Sequence, residues 1–600
     1  MNRVQTRTRA WLALGVPNLA RVAWYKARLR LGVHPAQSLR GSIVPGRVFD
    51  AVSAAPLHTL PGQDWRATGR LFGWHQIAAD RPPSWHKNAL TGRTQGNANA
   101  PWWRLPDFAG DDIKTVWEPS RWNWLIPFAQ RARNGDAAEL ERLEYWLRDW
   151  IDANPPFLGH NWKCAQETSI RLLHLAMAAL ILDQDHSPGM TLRNLLRLHL
   201  MRIAPTLDYA RAQDNNHATS EAAALYVGGL WLQSCGDNQG AHWARIGRTQ
   251  LARTVARLFA LDGSFSQHSV TYHRLALDTL SIAEIWRRRR GDHPFPEILR
   301  TRAVAAAEWL QAMVDTSSGD APNIGANDGA DLLQLGADYR DFRPSLQVAS
   351  VLFRKMRAFG EGPWDAACDW LDVDLPDEIA PVPESQLFDN GGYAVLRADT
   401  ALAVLRYPRF RFRPSHADPL HVDLWAEGHN LLRDGGTFSY NTDPSTMAYF
   451  NGIASHNTVQ FDDAEPMPRV GRFLFGDWLE TEERGTIRDN RFWVSYQDRA
   501  GHRHRRELAL SDARLEVIDR IEGFRRAVVR WRLAPGDWSL SGTRVSNGRH
   551  AVAVTGSMPL AAKLVTGRES RHYLHQEILP VLEIEVTQAG TLTTEVSWRQ

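Results

Sequence analysis

The spacing of apolar residues changes once along this 600-residue chain, near residue 375, and no single architecture accommodates both patterns. Between about residues 115 and 370 the period is helical. ELERLEYWLRDWIDAN sets Leu140, Leu143, Trp146, Leu147 and Trp150 three and four residues apart, then stops at Asn154-Pro155-Pro156. IRLLHLAMAALIL, SEAAALYVGGLWLQ, LDTLSIAEIWRRR, AVAAAEWLQAMV and LQVASVLFRKM follow, divided by Gly, Pro, Asp and Asn. Such a succession predicts helical hairpins in a bundle, solenoid or ring. LPDEIAPVPESQ then reads as a proline-rich, acidic linker. Beyond it the period is two: in VLEIEVT, Leu582, Ile584 and Val586 face one way and Glu583 and Glu585 the other. The second part is expected to be antiparallel β, as stacked sheets.

A chain this long exceeds one compact core, so two or more domains are expected. With 44% hydrophobic and 23% charged residues, the composition excludes a disordered or fibrous chain. A net charge of +3 gives no reason to invoke nucleic acid, but leaves room for a local basic groove. The three cysteines, Cys164, Cys235 and Cys368, are far apart and form neither a disulfide framework nor a cysteine zinc site. No stretch approaches the roughly 18 apolar residues that span a bilayer. The basic N-terminal segment is interrupted by Pro17 and Arg21, so it does not read as a signal peptide and stable membrane insertion is not expected. A cytoplasmic location is the expectation, with the periplasm or cell envelope as the alternative. The 25 tryptophans, more than half of them before residue 163, suit either helix packing or stacking on sugar rings.

Several polar groups are candidates for chemistry. QDNNHATSEAAAL sets Asn215, Asn216 and His217 before a helical run, with Glu221 one turn beyond His217. An N-cap accounts for one asparagine, not for the tripeptide. FSQHSVTYHRLALD brings Tyr272 and His273 together, with His268 one turn earlier; a helix edge is the ordinary explanation, a tyrosine acid or base the alternative. Glu167 and Arg171 have the i,i+4 spacing of a stabilising ion pair. His416, Asp418, His421, Asp423, Asp434 and His456 crowd a β-type stretch, and histidine with aspartate suits zinc, although the spacing fits no short zinc motif.

IKTVWEPSRWNWL, DWIDANPPFLGHNWKCAQETSIR, NNHATSEAAAL, TYHR, HADPLHVDLW, DGGTFSYN and ASHNTV occur in this order, and the set resembles the heparinase II/III-like polysaccharide lyases, a group similar to certain alginate lyases, over roughly residues 110–600. The resemblance implies an N-terminal incomplete α/α toroid followed by a C-terminal antiparallel β-sandwich. The expected divisions are an extension leading into the toroid (1–110), the toroid (111–375), a linker (376–388) and the sandwich (389–600). It also implies β-elimination next to a uronic acid in an acidic polysaccharide. That chemistry needs neutralisation of the uronate carboxylate, a base for the C5 proton and an acid for the leaving oxygen. The resemblance gives the carboxylate to Asn216, whose amide donates without titrating, puts His217 beside it as binder or base, and makes Tyr272 base or acid. Glu221, His273, Arg413 and Tyr449 are candidate substrate-binding residues. His416, Asp434 and His456 match, in order, a family metal set, implying one structural Zn2+ and no organic cofactor. One departure stands out: where many relatives carry a histidine two residues before the first metal histidine, this chain has Pro414. Arg413, His421 or Tyr449 could substitute, or activity could be altered or lost. The competing readings are a glycoside hydrolase, which needs two opposed carboxylates from among Glu167, Glu221, Asp328 and Asp214, and a non-catalytic glycan-binding or polymer-assembly protein. The polymer, the endo or exo mode and the oligomeric state have no readable signature.

Overall fold

The structure, a computed structural model, describes residues 3–106, 108, 110–336 and 338–598. An N-terminal arm of two helices, α1 (Arg3–Ala13) and α2 (Val16–Arg30), precedes an irregular stretch with one small hairpin at residues 68–78. The toroid follows as α3 (Leu125–Arg133), α4 (Ala137–Ala153), α5 (Ala165–Ile181), α6 (Met190–Ile203), α7 (Asn216–Ser234), α8 (Asn238–Leu258), α9 (Val270–Arg289) and α10 (Glu297–Met313).

Helix α7 lies at the centre of this array and is buried on every side. Its Ala- and Gly-rich sequence allows that. A Cβ on Gly229 would stand 2.3 Å from Ala244 N, and one on Gly247 would stand 2.3 Å from Tyr226 N, so α7 and α8 touch backbone to backbone. Asp237 caps α8 by accepting from Gln239 N and Gly240 N. The tryptophans of the first part are mostly packing residues: Trp122, Trp124, Trp146, Trp150 and Trp162 are fully buried. Arg171 lies among Trp122, Trp150 and Trp162, its guanidinium carbon 4.9 Å from the Trp150 ring centroid.

The β part begins at Gln386–Phe388, inside the stretch expected to be a linker. Five successive strands ending at His429–Leu432 form an antiparallel sheet, beside an eight-stranded and a four-stranded antiparallel sheet. The five-stranded sheet explains how the two parts join. Tyr393, Val395, Leu402, Val404 and Trp425 enter the toroid core, while Ala394, Leu396, Ala403, Leu405, Val422 and Leu424 enter the core of the sandwich. Alternation along each strand therefore serves two apolar cores at once.

Candidate active site

A cleft of about 730 Å3 runs between toroid and sandwich, walled by the N-terminal arm, the start of α7, the start of α9 and the loop 411–416. Asn215 is the N-cap of α7, its side chain accepting from His217 N at 3.1 Å. Asn216 is the first helical residue and its backbone N–H donates to Gln267 Oε1 at 2.7 Å. Its side-chain amide makes no hydrogen bond among the described residues, although the residue is buried at the cleft wall. His217 Nδ1 lies 3.7 Å from Glu221 Oε1. Burial raises the Glu221 carboxyl above the usual range despite that histidine.

Ser269 caps α9 through Tyr272 N, and Tyr272 turns its hydroxyl into the cleft. There it meets the Tyr440 hydroxyl at 2.8 Å. Burial, with Asp328 and Tyr440 nearby, holds the Tyr272 phenol well above its usual range, so it is a neutral proton donor in the resting protein. Tyr440 N in turn donates to Tyr573 Oη (2.7 Å), and Tyr573 donates to Asp112 Oδ2 (2.7 Å). The Arg413 guanidinium also lines the cleft near both phenols, and it has no carboxylate or hydrogen-bond partner among the described residues. Burial pulls its pKa down. Pro414 fills the adjacent wall position.

Two candidates are not at the cleft. His273 is fully buried, its Nε2 2.9 Å from Ala306 O and its ring stacked on Trp309 at 4.2 Å. Successive helical residues point about 100° apart, so the α9 face that aims Tyr272 at the cleft sends its neighbour into the core. Burial lowers His273 to about 4. Tyr449 lies within the sandwich: its hydroxyl accepts from Arg532 Nη1 at 2.9 Å and Arg568 N at 2.8 Å, which leaves it nothing to offer a ligand. His268 is likewise buried, edge-on to Phe410.

The acidic groups of this region are already committed. Glu167 does not pair with Arg171. It takes Arg121 Nε at 2.6 Å and Lys114 Nζ at 3.2 Å, while Lys114 reaches Asp328 Oδ2 at 2.6 Å. Burial would raise both carboxyls, yet Arg121 and Lys114 hold Glu167, and Lys114 and Arg121 hold Asp328, below the usual range. Asp214 takes a bidentate Arg257 at 2.6 and 2.7 Å and Asn18 Nδ2 at 2.6 Å. No opposed pair of unengaged carboxyls therefore remains among the four acids a hydrolase reading would draw on.

Below the cleft, His416, Asp434 and His456 bring one potential ligand atom each to within 4.8 Å of one another, all three side chains buried. His456 Nδ1 is 2.8 Å from Asp434 Oδ2. His416 Nε2 bonds Thr437 Oγ1 at 3.0 Å and its Nδ1 is buried with no hydrogen-bond partner among the described residues. An orphaned buried nitrogen beside a carboxylate and a second imidazole suits a divalent cation. His421 stands beside the three. Its Nδ1 accepts from Asn457 N at 2.9 Å, and its Nε2 lies 3.3 Å from Asp434 Oδ2. That nitrogen is buried beside the triad carboxylate without a hydrogen-bond partner among the described residues. Burial, with His456 beside it, pushes His416 down to about 4. Against a burial that would raise it, His456 and His421 hold Asp434 well below its usual range.

A helical toroid joined along one sheet to an antiparallel sandwich is a fold this chain shares with solved structures. Residues 380–598 match the family model described as heparinase II/III-like, C-terminal. A solved structure of heparinase III superposes with a TM-score of 0.65 at 15% identity, covering 98% of this chain and 93% of that one. A heparan sulfate lyase from Pedobacter heparinus gives 0.53 at 16%, covering 95% and 88%. Chondroitin AC lyase of Streptomyces coelicolor A3, in complex with chondroitin sulphate, gives 0.52 at 13%, covering 81% and 74%. No curated protein sequence matches the chain.

Proposed function

We propose that this protein is a polysaccharide lyase that cleaves an acidic, uronate-containing glycan by β-elimination. The observation that carries the reading is the contrast inside one cleft. The neutral amide of Asn216 and the guanidinium of Arg413 have no hydrogen-bond partner among the described residues, a tyrosine pair stands beside them, and Glu167, Asp328 and Asp214 are paired off. Unengaged donors bind a uronate carboxylate and drain charge from it, which is what makes the C5 proton removable. His217, at the cleft and backed by Glu221, is positioned to take that proton; Tyr272, held neutral, gives its own to the departing glycosidic oxygen. The Tyr440 hydroxyl, 2.8 Å away, supports the phenolate left on Tyr272 by a hydrogen bond until the proton is returned from solvent. Arg413 takes over carboxylate binding on the segment where Pro414 stands in place of a histidine.

A Zn2+ held by His416, Asp434 and His456 would serve as a brace. His416 follows Arg413 by three residues and Asp434 precedes Tyr440 by six, so a tie at the triad fixes both cleft segments. The test of the reaction is the appearance of an unsaturated uronate, by its ultraviolet absorbance, with an acidic polysaccharide as substrate. New reducing ends without that absorbance would replace elimination by hydrolysis.

A further inference from the structure

The N-terminal arm has two faces with different business. Its inner side belongs to the cleft. Asn18 holds Asp214, Tyr25 stacks on Tyr209 at 4.3 Å and 18°, and Thr6 Oγ1 reaches Asp477 Oδ2 of the sandwich at 3.2 Å. The arm is thus pinned to both parts of the molecule. Its outer side faces solvent and is apolar. At about 100° per residue, Val16, Ala20, Ala23, Trp24, Ala27 and Leu31 fall within an arc of about 100° along α2, and all are exposed. Val16 is 65%, Trp24 66% and Leu31 75% exposed. Lys26 and Arg30 border this stripe on one side, Arg21 and Arg28 on the other. Leu12 of α1 is also exposed, at 56%. No aspartate or glutamate occurs in residues 1–49.

We infer that this outer face docks on an anionic phospholipid surface, with α2 lying in the plane of the headgroups. An apolar stripe bordered on both sides by cations is the pattern of a helix that rests at a lipid interface, tryptophan and aliphatic side chains entering the acyl boundary while Lys and Arg meet lipid phosphates. A second copy of the chain fits less well. A symmetric contact between two arms would bring cations to cations, with no acid in the segment to offset them. The pinning at Asp214 and Asp477 means that docking holds the whole molecule, cleft included, at the surface. This inference is independent of the reaction assigned to the cleft.

Sedimentation of the full-length protein with phosphatidylglycerol/phosphatidylcholine vesicles, compared with phosphatidylcholine alone, tests it. Binding is expected to the anionic vesicles, to fall steeply with added salt, and to be on the order of tenfold weaker for Lys26→Gln with Arg30→Gln. Trp24→Ser with Leu31→Ser, at exposed positions, should weaken it by a similar factor while leaving the melting temperature unchanged. Failure to bind anionic vesicles at low salt overturns the inference, as does binding that both double variants retain. A concentration-dependent dimer that the Trp24→Ser/Leu31→Ser variant abolishes, without vesicle binding, would assign the face to a second copy.

Discussion

Replacing Tyr272 and Tyr440 by phenylalanine, singly and together, separates a hydroxyl that transfers a proton from one that supports it. The two oxygens lie 2.8 Å apart, and only Tyr272 sits on the helix that faces Asn216 across the cleft wall. Tyr272→Phe removes the acid, which at the low end of general acid catalysis costs about a hundredfold in turnover, or about 2.7 kcal/mol in the barrier. Tyr440→Phe leaves the acid and removes one neutral hydrogen bond, worth about 1 kcal/mol, so its loss is about fivefold. If Tyr440 works through Tyr272, its absence has nothing to act on once the Tyr272 hydroxyl is gone. The double variant then matches Tyr272→Phe within about twofold, where independent effects would multiply to about five-hundredfold. Initial rates of unsaturated-uronate formation give kcat/KM for the four proteins, and melting temperatures check that each is folded. Near-wild-type turnover in Tyr272→Phe, or full multiplication in the double variant, refutes the assignment.

Asn216→Ala should reduce kcat by at least about a hundredfold with little change in melting temperature, since the amide has no hydrogen-bond partner among the described residues. Glu167→Gln strips Arg121 and Lys114 of a buried counter-charge and is expected to destabilise by about 3–5 kcal/mol in denaturant titration. Because the Glu167 and Asp328 carboxyls are held below their usual range, their contribution is complete above about pH 4.3 and is lost as pH falls further; Glu167→Gln should therefore flatten the acid limb of the stability curve. His273→Gln should cost about 1–3 kcal/mol of stability and leave KM unchanged; a raised KM with unchanged stability would return His273 to the site. Protein prepared without added metal should carry about one zinc per chain, lost in Asp434→Asn. Metal-free protein whose melting temperature ignores chelator would remove the brace at His416, Asp434 and His456.

The change of period near residue 375 carried the architecture, because helix and strand faces bury residues at different spacings, and the five-stranded sheet keeps alternation even with both faces covered. That one asparagine caps the helix was legible; the structure gives the cap to Asn215 and leaves Asn216 for other work. What sequence could not disclose depends on rotation about a helix or on distant pairing. Tyr272 and His273 are neighbours in the chain and face opposite environments. Lys114, Glu167 and Asp328 meet although Lys114 and Asp328 are 214 residues apart, so the local i,i+4 spacing of Glu167 and Arg171 pointed to the wrong partner. Tyr440 was visible only as part of DGGTFSYN; its place six residues after Asp434 is the signal that could have drawn it out. Tyr449 carries the same side chain a few residues on, but Arg532 and Arg568 take up its hydroxyl.

The central claim is elimination next to a uronate, and its most direct test is a panel of acidic polysaccharides followed in parallel by ultraviolet absorbance and by reducing-end assay. The account predicts that absorbance and reducing ends rise together, in equal molar amounts, for at least one uronate-containing polymer. Reducing ends that appear without absorbance would contradict it.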